Sequence, residues 1–343
     1  MSLPEAGQAQ SPLAPWISAQ RDALLAQRGH AWLLQGPSGL GQFALAQELV
    51  RAWLCDTPSS QGACGHCGSC HAIDVHTHAD LCVLMPETEL LARGWPLPEK
   101  AQAEIDDKKR KPSREIRVEA MREAVEFAQR TSARNRGKAV LVYPAEQMNT
   151  ITANALLKTL EEPPGDVRFV LASEAAHQLL PTIRSRCLGH TMTWPQQEQM
   201  LQWLGQQGVP PDTGTALLRM AGDRPDDALA LAHANHSPHS WAQLPQALLR
   251  GQAHALSSYT PVQAITALQK LCHDLLALSV GAPPRYFAAA DLPVAPPLAA
   301  LTQWSKMLMQ AARTAEHPFN TGLMLEALAA QARNVLNSRP STV

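Results

Sequence analysis

A glycine-rich segment between an apolar run and a helical pattern constrains the fold most. The segment reads Gly36-Pro37-Ser38-Gly39-Leu40-Gly41-Gln42-Phe43. Trp32 to Leu34 precede it as an apolar run, and apolar residues from Ala44 to Leu54 follow at helical spacing. This order predicts a strand, a tight turn and a helix, as in a phosphate-binding P-loop. Other glycine-containing turns between a strand and a helix share this spacing, so the glycines alone leave both interpretations open.

The last two positions of the segment lack the chemistry of a working P-loop. In the motif GxxxxGK[ST], a lysine reaches the phosphates and a hydroxyl group binds Mg²⁺. Gln42 carries no charge and Phe43 has no atom that binds a metal. We therefore expect a P-loop fold that neither binds nor hydrolyses ATP, with a degenerate loop formed by Gly36, Gly39, Gly41, Gln42 and Phe43.

Four of the seven cysteines lie close together, at positions Cys55, Cys64, Cys67 and Cys70. Four thiolates at these intervals can bind one Zn²⁺ in a tetrahedral site. His66 or His71 could replace one of the thiolates. Because no ligand position is left open, we expect residues 55–70 to form a structural zinc module rather than a catalytic one.

The chain is long enough for two or three domains, and cysteines at metal-ligand spacing fit a reducing compartment better than disulfide bonds do. The 343 residues include 29 basic and 30 acidic side chains, so the molecule as a whole is not a basic nucleic-acid binder. No run of 18 residues is apolar enough for a membrane span, and residues 1–10 lack the basic and apolar regions of a secretion signal. We expect a cytoplasmic protein that makes no membrane contact.

Residues 86–113 show no clear periodicity and contain the basic cluster 108–111. The pattern predicts a flexible insertion. The cluster could contact a phosphate backbone, although a solvated run of charges is the more common outcome.

Buried strands are predicted at Leu81 to Leu84 and at Lys138 to Val142. In P-loop ATPases an acidic side chain at the end of such a strand helps to hold Mg²⁺. Tyr143 and Pro144 stand there instead, and the nearest acidic residue is Glu146. The absence of this metal-binding acidic side chain agrees with the absence of the lysine and the hydroxyl group at the glycine-rich loop.

The following residues carry a specific resemblance. Asn154 to Pro164 read NALLKTLEEPP, a strand pattern follows at 167–173, and then comes the turn Ser185-Arg186-Cys187. These features resemble the AAA+ clamp-loader family, in which NALLKTLEEPP and a Ser-Arg-Cys turn are signatures. The resemblance covers most of residues 30–235 and extends more weakly into the C-terminal third.

The resemblance implies an α/β fold with three parts. A RecA-like AAA+ P-loop domain with a parallel sheet and the zinc module is expected over residues 1–193. A small helical lid is expected over 194–236 and an all-α helical collar for oligomerisation over 237–343. Where the family's lid has a nucleotide-sensing arginine, this sequence has Asp226.

The resemblance also implies partners and a role. It predicts a heteropentamer with γ/τ and δ subunits, within the DNA polymerase III holoenzyme, that loads the β sliding clamp onto primed DNA. Arg186 is then an arginine finger that acts in trans on ATP bound by a neighbouring γ/τ subunit, while this chain has no ATPase activity of its own. Arg186 could instead pair with a local carboxylate such as Glu174, and Arg184 is a second candidate. The competing interpretation is an independent AAA+ ATPase or a zinc-bearing nucleic-acid enzyme.

Overall fold

The chain forms two compact units, divided between Trp203 and Leu204. The computed structural model describes residues 13–315, 317 and 320–339. Residues 1–10, on which the expected lack of a secretion signal depends, lie outside these ranges. No helix within these ranges is both long and hydrophobic enough to cross a bilayer. We refer to an N-terminal and a C-terminal unit, and the division into three parts at residues 193 and 236 remains a proposal.

A parallel sheet of five strands forms the centre of the N-terminal unit. The strands are β1 (Ala31–Gln35), β2 (Leu81–Leu84), β3 (Lys138–Val142), β4 (Val167–Ser173) and β5 (Leu188–Thr191). Their order across the sheet is β2-β3-β4-β1-β5, and every neighbouring pair is parallel. Parallel neighbours need crossover connections, which here contain helices. The predicted RecA-like α/β sheet is therefore confirmed.

Helices connect these strands and supply the core. They are α1 (Pro15–Leu25), α2 (Gln42–Leu54), α3 (Gly68–Asp74), α4 (Glu87–Ala92), α5 (Glu99–Asp106), α6 (Val118–Gln129), α7 (Thr150–Glu161), α8 (Pro181–Arg184) and α9 (Gln197–Gln206), which crosses the division between the units. Met121 of α6, Leu156 of α7 and Phe169 of β4 belong to one buried cluster. The side chain of Asn149 caps α7, and the two prolines at 163 and 164 follow its end.

Residues 86–113 contain α4 and α5, so the expected flexible insertion is wrong. The carboxylate of Glu87 is 6% exposed and accepts hydrogen bonds from the Arg110 guanidinium at 2.8 Å and from the Ser113 backbone N–H at 2.7 Å. Arg110 also pairs with Glu104. Arg110, a member of the basic cluster, therefore forms ion pairs within the chain. Local periodicity could not indicate these pairs because the partners lie elsewhere in the sequence.

Asp80 holds the turn that leads into β3. Its carboxylate is fully buried and accepts hydrogen bonds from the backbone N–H groups of Ala133 at 2.8 Å and Arg134 at 2.9 Å, and from the Ser132 hydroxyl at 3.0 Å. The ammonium group of Lys138, which is also buried, lies 3.5 Å away. Burial raises the pKa of Asp80, but these hydrogen bonds and Lys138 outweigh it and hold the pKa below its usual value.

We expect Asp80→Ala to reduce the free energy of unfolding by roughly 3–5 kcal/mol, because it leaves buried donors and a buried ammonium group unpaired. Urea denaturation followed by circular dichroism measures the change. Asp22→Ala is the matched control, since this carboxylate is 45% exposed and pairs with Arg21 at the surface. The lowered pKa means that the stabilisation by Asp80 is present above about pH 4 and disappears as pH falls through the folded-state pKa. A pH-independent difference between variant and wild type from pH 7 to pH 2 would contradict this.

Within the described residues of the C-terminal unit, helices are the regular secondary structure and no strand is present. Its main helices are α10 (Pro211–Ala221), α11 (Pro225–His233), α12 (Pro238–Leu249), α13 (Pro261–Ser279), α14 (Leu298–Thr314) and α15 (Thr321–Leu336). Leu268 and Leu271 of α13 and Trp304 and Leu308 of α14 are completely buried. Their i, i+3 and i, i+4 spacing confirms the amphipathic helices predicted for this part of the sequence.

Candidate functional site

The glycine-rich loop joins β1 to α2 as predicted. Gly39 has φ of 80° and Gly41 has φ of 86°, both in the left-handed region. Glycine adopts this conformation without the steric cost of a Cβ atom. Helix α2 begins directly afterwards at Gln42. Both glycines are thus required by the backbone of the turn itself.

Gln42 points back into the loop. Its side chain is almost completely buried, and its amide Nε2 donates to the carbonyl oxygens of Gly36 at 2.9 Å and Pro37 at 2.6 Å. A neutral amide therefore satisfies two backbone acceptors of the turn. The loop keeps its shape through contacts within the chain.

Phe43, Tyr143 and Arg93 form a cluster beside the loop, which we call the aromatic–arginine cluster. The rings of Phe43 and Tyr143 lie 5.2 Å apart between centroids. The guanidinium carbon of Arg93 lies 4.4 Å from the Phe43 centroid and 4.9 Å from the Tyr143 centroid, in cation–π range of both rings. Arg93 also pairs with Glu89 at 3.2 Å. Sequence reasoning missed Arg93 because it lies in the segment expected to be flexible.

The carboxylates next to this cluster are engaged within the chain. The Tyr143 hydroxyl donates to Glu174 Oε1 at 2.8 Å, and burial raises the pKa of Tyr143, so that the phenol stays protonated at neutral pH. Glu146 accepts from the backbone N–H of Glu174 at 3.1 Å. Neither carboxylate stands at the end of β3, where the metal-binding acid of a P-loop ATPase is expected.

The four predicted cysteine ligands come together in space. The sulfur atoms of Cys55, Cys64, Cys67 and Cys70 all lie within 4.8 Å of one another. Cys55 Sγ is 3.8 Å from the Sγ atoms of both Cys67 and Cys70, and Cys64 Sγ is 4.0 Å from Cys70 Sγ. A tetrahedron with Zn–S bonds of about 2.3 Å has S–S edges of about 3.8 Å. The cluster thus fits a zinc ion, and its four members are the cysteines chosen from spacing.

The protein environment suits thiolate ligands. The backbone N–H groups of Cys64 and Cys70 point at the Sγ atoms of Cys55 at 3.3 Å and Cys67 at 3.4 Å. Hydrogen bonding to the Thr57 side chain lowers the pKa of Cys64 to about 5, whereas burial raises the pKa of Cys70 to about 12. A bound dication would offset the cost of ionising the buried thiol. The imidazole Nδ1 of His66 instead contacts the Cys64 carbonyl oxygen at 2.9 Å.

Arg186 follows α8 at the surface of the N-terminal unit, with a side chain that is 29% exposed. Its Nε donates to Glu161 Oε1 at 2.7 Å, and its Nη1 donates to the Thr182 carbonyl oxygen at 2.9 Å. The local carboxylate is therefore Glu161 at the end of α7, whereas Glu174 binds Tyr143. The spacing of residues gave no signal for Glu161, which lies 25 positions earlier in the chain.

Asp226 lies in the first turn of α11, where an acidic side chain interacts favourably with the helix dipole. Neighbouring Arg224 donates to the Ala221 carbonyl oxygen at 2.9 Å and pairs with Asp227 at 2.8 Å. Arg224 therefore caps the carboxyl end of α10 and forms an ion pair with the first turn of α11.

The sequence matches a family model described as "DNA polymerase III, delta subunit" over residues 18–194, about half of the chain. It is 39% identical to DNA polymerase III subunit delta′ of Pseudomonas aeruginosa over 216 residues, which cover 62% of this chain and 58% of that relative. It is 31% identical to subunit delta′ of Escherichia coli K12 over 289 residues, 81% of this chain and 78% of the relative.

A third relative, the tau subunit of DNA polymerase III from E. coli K12, is 33% identical over 159 residues, 46% of this chain and 21% of that protein. The cysteine cluster and the Ser-Arg-Cys turn both lie within the matched residues 18–194. The chain belongs to the DNA polymerase III delta-prime family of AAA+ clamp-loader subunits.

Proposed function

We propose that this chain is a non-catalytic subunit of a clamp loader that supplies Arg186 in trans to ATP held by a neighbouring γ/τ subunit. The complex is a heteropentamer with γ/τ and δ subunits, which places the β sliding clamp on primed DNA in the cytoplasm. The observation that carries the proposal is the position of Arg186, whose partly exposed guanidinium lies on a surface turn after α8. A guanidinium group stays charged and can contact two phosphate oxygens at once.

Glu161 is consistent with this role. It holds the Arg186 guanidinium from one side, and half of the Glu161 side chain is exposed. A surface ion pair of this kind contributes about 0–1 kcal/mol, so a phosphate group from a neighbouring subunit can compete for the guanidinium. The pair therefore orients the arginine in the free chain without fixing it there.

The remains of the P-loop support the absence of ATP binding by this chain. A lysine and a metal-bound hydroxyl are replaced by Gln42 and Phe43, and both replacements make contacts of their own. Gln42 bonds to the loop carbonyls, and Phe43 packs in the aromatic–arginine cluster. Nucleotide binding would have to break these contacts and would gain neither a lysine nor a carboxylate-bound Mg²⁺.

Isothermal titration with Mg-ATP should give no measurable heat for the wild-type chain. The double variant Gln42→Lys/Phe43→Thr restores the GKT sequence, and we expect that it still fails to bind at micromolar concentrations because Tyr143 and Arg93 remain. Thermal denaturation checks that the variant is folded, and a γ/τ subunit serves as the positive control. Micromolar binding by the wild type would contradict the proposal, and binding by the variant alone would show that the cluster is no obstacle.

The metal of the cysteine cluster is proposed to be a structural Zn²⁺. All four ligands come from the protein, so no position remains for water or substrate. Two contacts support the module: on its flanks Arg51 of α2 pairs with Asp74 of α3, and inside it Asp56 accepts from the Ser69 hydroxyl at 2.8 Å. The ion would complete the connection between α2 and β2.

The competing function is an independent AAA+ ATPase or a zinc-bearing nucleic-acid enzyme. Steady-state ATP hydrolysis by the purified chain, with and without DNA, separates the two. Turnover that depends on Gln42 or Glu146 would favour the independent enzyme. Hydrolysis that appears only with γ/τ subunits and depends on Arg186 would support the proposed role.

A further inference from the structure

A groove of about 800 Å³ runs along the amino ends of β1 and β4. It lies at the edge of the sheet opposite to the glycine-rich loop, because that loop follows the carboxyl end of β1. A second cavity of about 370 Å³ shares Asn135, Gly165, Asp166 and Val167 with it and extends the surface to the turn before β3. None of the functions considered above uses this surface, which we call the amino-edge groove.

Arginine side chains dominate the charge of the amino-edge groove. Arg28 and Arg136 line the larger cavity, and Arg130 lines the smaller one. All three are exposed, and among the described residues their side chains have no ion pair or hydrogen bond. A guanidinium group offers five donors, so these three present many free donors on one surface.

The acidic residues of the same surface already have basic partners. Asp22 pairs with Arg21 at 2.8 Å, and Asp166 lies 3.6 Å from the guanidinium of Arg168. The surface is therefore positively charged, although the whole chain carries a net charge of only −1. Such a local excess attracts anions over roughly a Debye length of about 8–10 Å.

An aromatic side chain and two hydroxyl groups complete the groove. Trp53 at the end of α2 is partly exposed, and the Arg168 guanidinium carbon lies 5.8 Å from its ring centroid. Ser59 and Ser60, both exposed, come from the segment between Cys55 and Cys64 of the zinc module. The module thus forms one wall of the groove.

We infer that the amino-edge groove binds the backbone of single-stranded DNA. Proteins that bind single strands without sequence preference combine a basic groove for the phosphates with aromatic side chains for the bases, and this groove has both. Arg28, Arg130 and Arg136 contact phosphate oxygens, and the partly exposed indole of Trp53 offers an aromatic contact to a base. The identity of the polyanion rests on the proposed function, because a replication subunit works beside DNA, whereas the charge and shape of the groove do not depend on Arg186.

Fluorescence anisotropy of a fluorescein-labelled 20-nucleotide single strand, titrated with the full chain at low salt, tests the inference. We expect Arg28→Ala/Arg136→Ala to weaken binding roughly 10- to 50-fold and to reduce the slope of log K against log salt by about 1.4, since each phosphate contact contributes about 0.7. Arg130→Ala should give a smaller loss in the same direction. The matched control Arg219→Ala/Arg250→Ala removes two exposed arginines from the C-terminal unit and should change affinity less than 2-fold.

Equal losses in the groove variant and the control would overturn the inference, because binding would then be diffuse electrostatic attraction. Absence of DNA binding by the wild type would overturn it as well. Tighter binding of a polyglutamate peptide than of DNA, lost in the groove variant, would assign the groove to an acidic protein segment instead. The assay uses neither Arg186 nor other subunits, so a failure of the arginine-finger proposal leaves its result unchanged.

Discussion

Replacing Arg186 with alanine is expected to abolish most DNA-stimulated ATP hydrolysis at the neighbouring γ/τ site while the pentamer still assembles. Arginine fingers stabilise charge that develops on the transferred phosphoryl group, and measured cases contribute roughly 10³- to 10⁵-fold in rate. A ring with several ATP sites will show a smaller total loss, because the other sites keep their own fingers. Reconstituted pentamers assayed for ATP hydrolysis and clamp loading measure the effect.

Arg184→Ala is the matched control for this experiment. Arg184 is exposed, lies two residues earlier in the same turn and has no side-chain partner among the described residues. Its loss should leave hydrolysis near the wild-type rate. Arg186→Lys should behave like Arg186→Ala, because an ammonium group cannot form the paired contacts of a planar guanidinium. Wild-type clamp loading by Arg186→Ala, or a loss caused only by failed assembly, would show that the assignment is wrong.

Removal of zinc is expected to have the second large effect. We expect about one Zn²⁺ per chain by elemental analysis, and loss of the N-terminal unit's cooperative thermal transition after chelation. Structural zinc contributes about 10–16 kcal/mol in peptides that fold around it. The effect here should be smaller, because the unit also has a buried core around its sheet. Since the thiols must lose protons to bind, zinc affinity should weaken as pH falls.

Cys64→Ser tests this assignment directly. It should lower the zinc content and the unfolding temperature together. Cys272→Ser is the control, because Cys272 is buried in α13 of the C-terminal unit and is not a member of the cluster, so its loss should leave zinc content unchanged. A chain that is fully folded and cooperative without any metal would refute the structural role.

Local patterns in the sequence predicted the parts of the fold that depend on neighbouring residues. The spacing of glycines and apolar residues predicted β1, its turn and α2, because backbone conformation and periodicity are encoded within a short window. The four cysteines were identified for the same reason, since metal geometry restricts ligand spacing. The helices of the C-terminal unit were predicted from the helical spacing of their apolar residues.

Contacts between distant segments could not be predicted in this way. Arg93 contacts Phe43 and Tyr143 across 50 residues in each direction, and Glu161 reaches Arg186 from another helix. The ordered segment 86–113 depends on Glu87 and Arg110, whose pairing requires the folded chain. These interactions are tertiary, so neither spacing nor composition carries a signal for them.

The loop at residues 36–43 separates two properties that a motif search treats as one. The glycines with positive φ are required by the backbone conformation of the turn, whereas phosphate and metal binding depend on the side chains at positions 42 and 43. The Gln42 amide donates to two carbonyl groups of the loop itself, so contacts within the chain hold the turn without a bound ligand. A glycine pattern of this kind can therefore be present in a chain that does not bind a nucleotide. Counting every such pattern as a nucleotide site would overestimate the number of ATPases in a set of sequences.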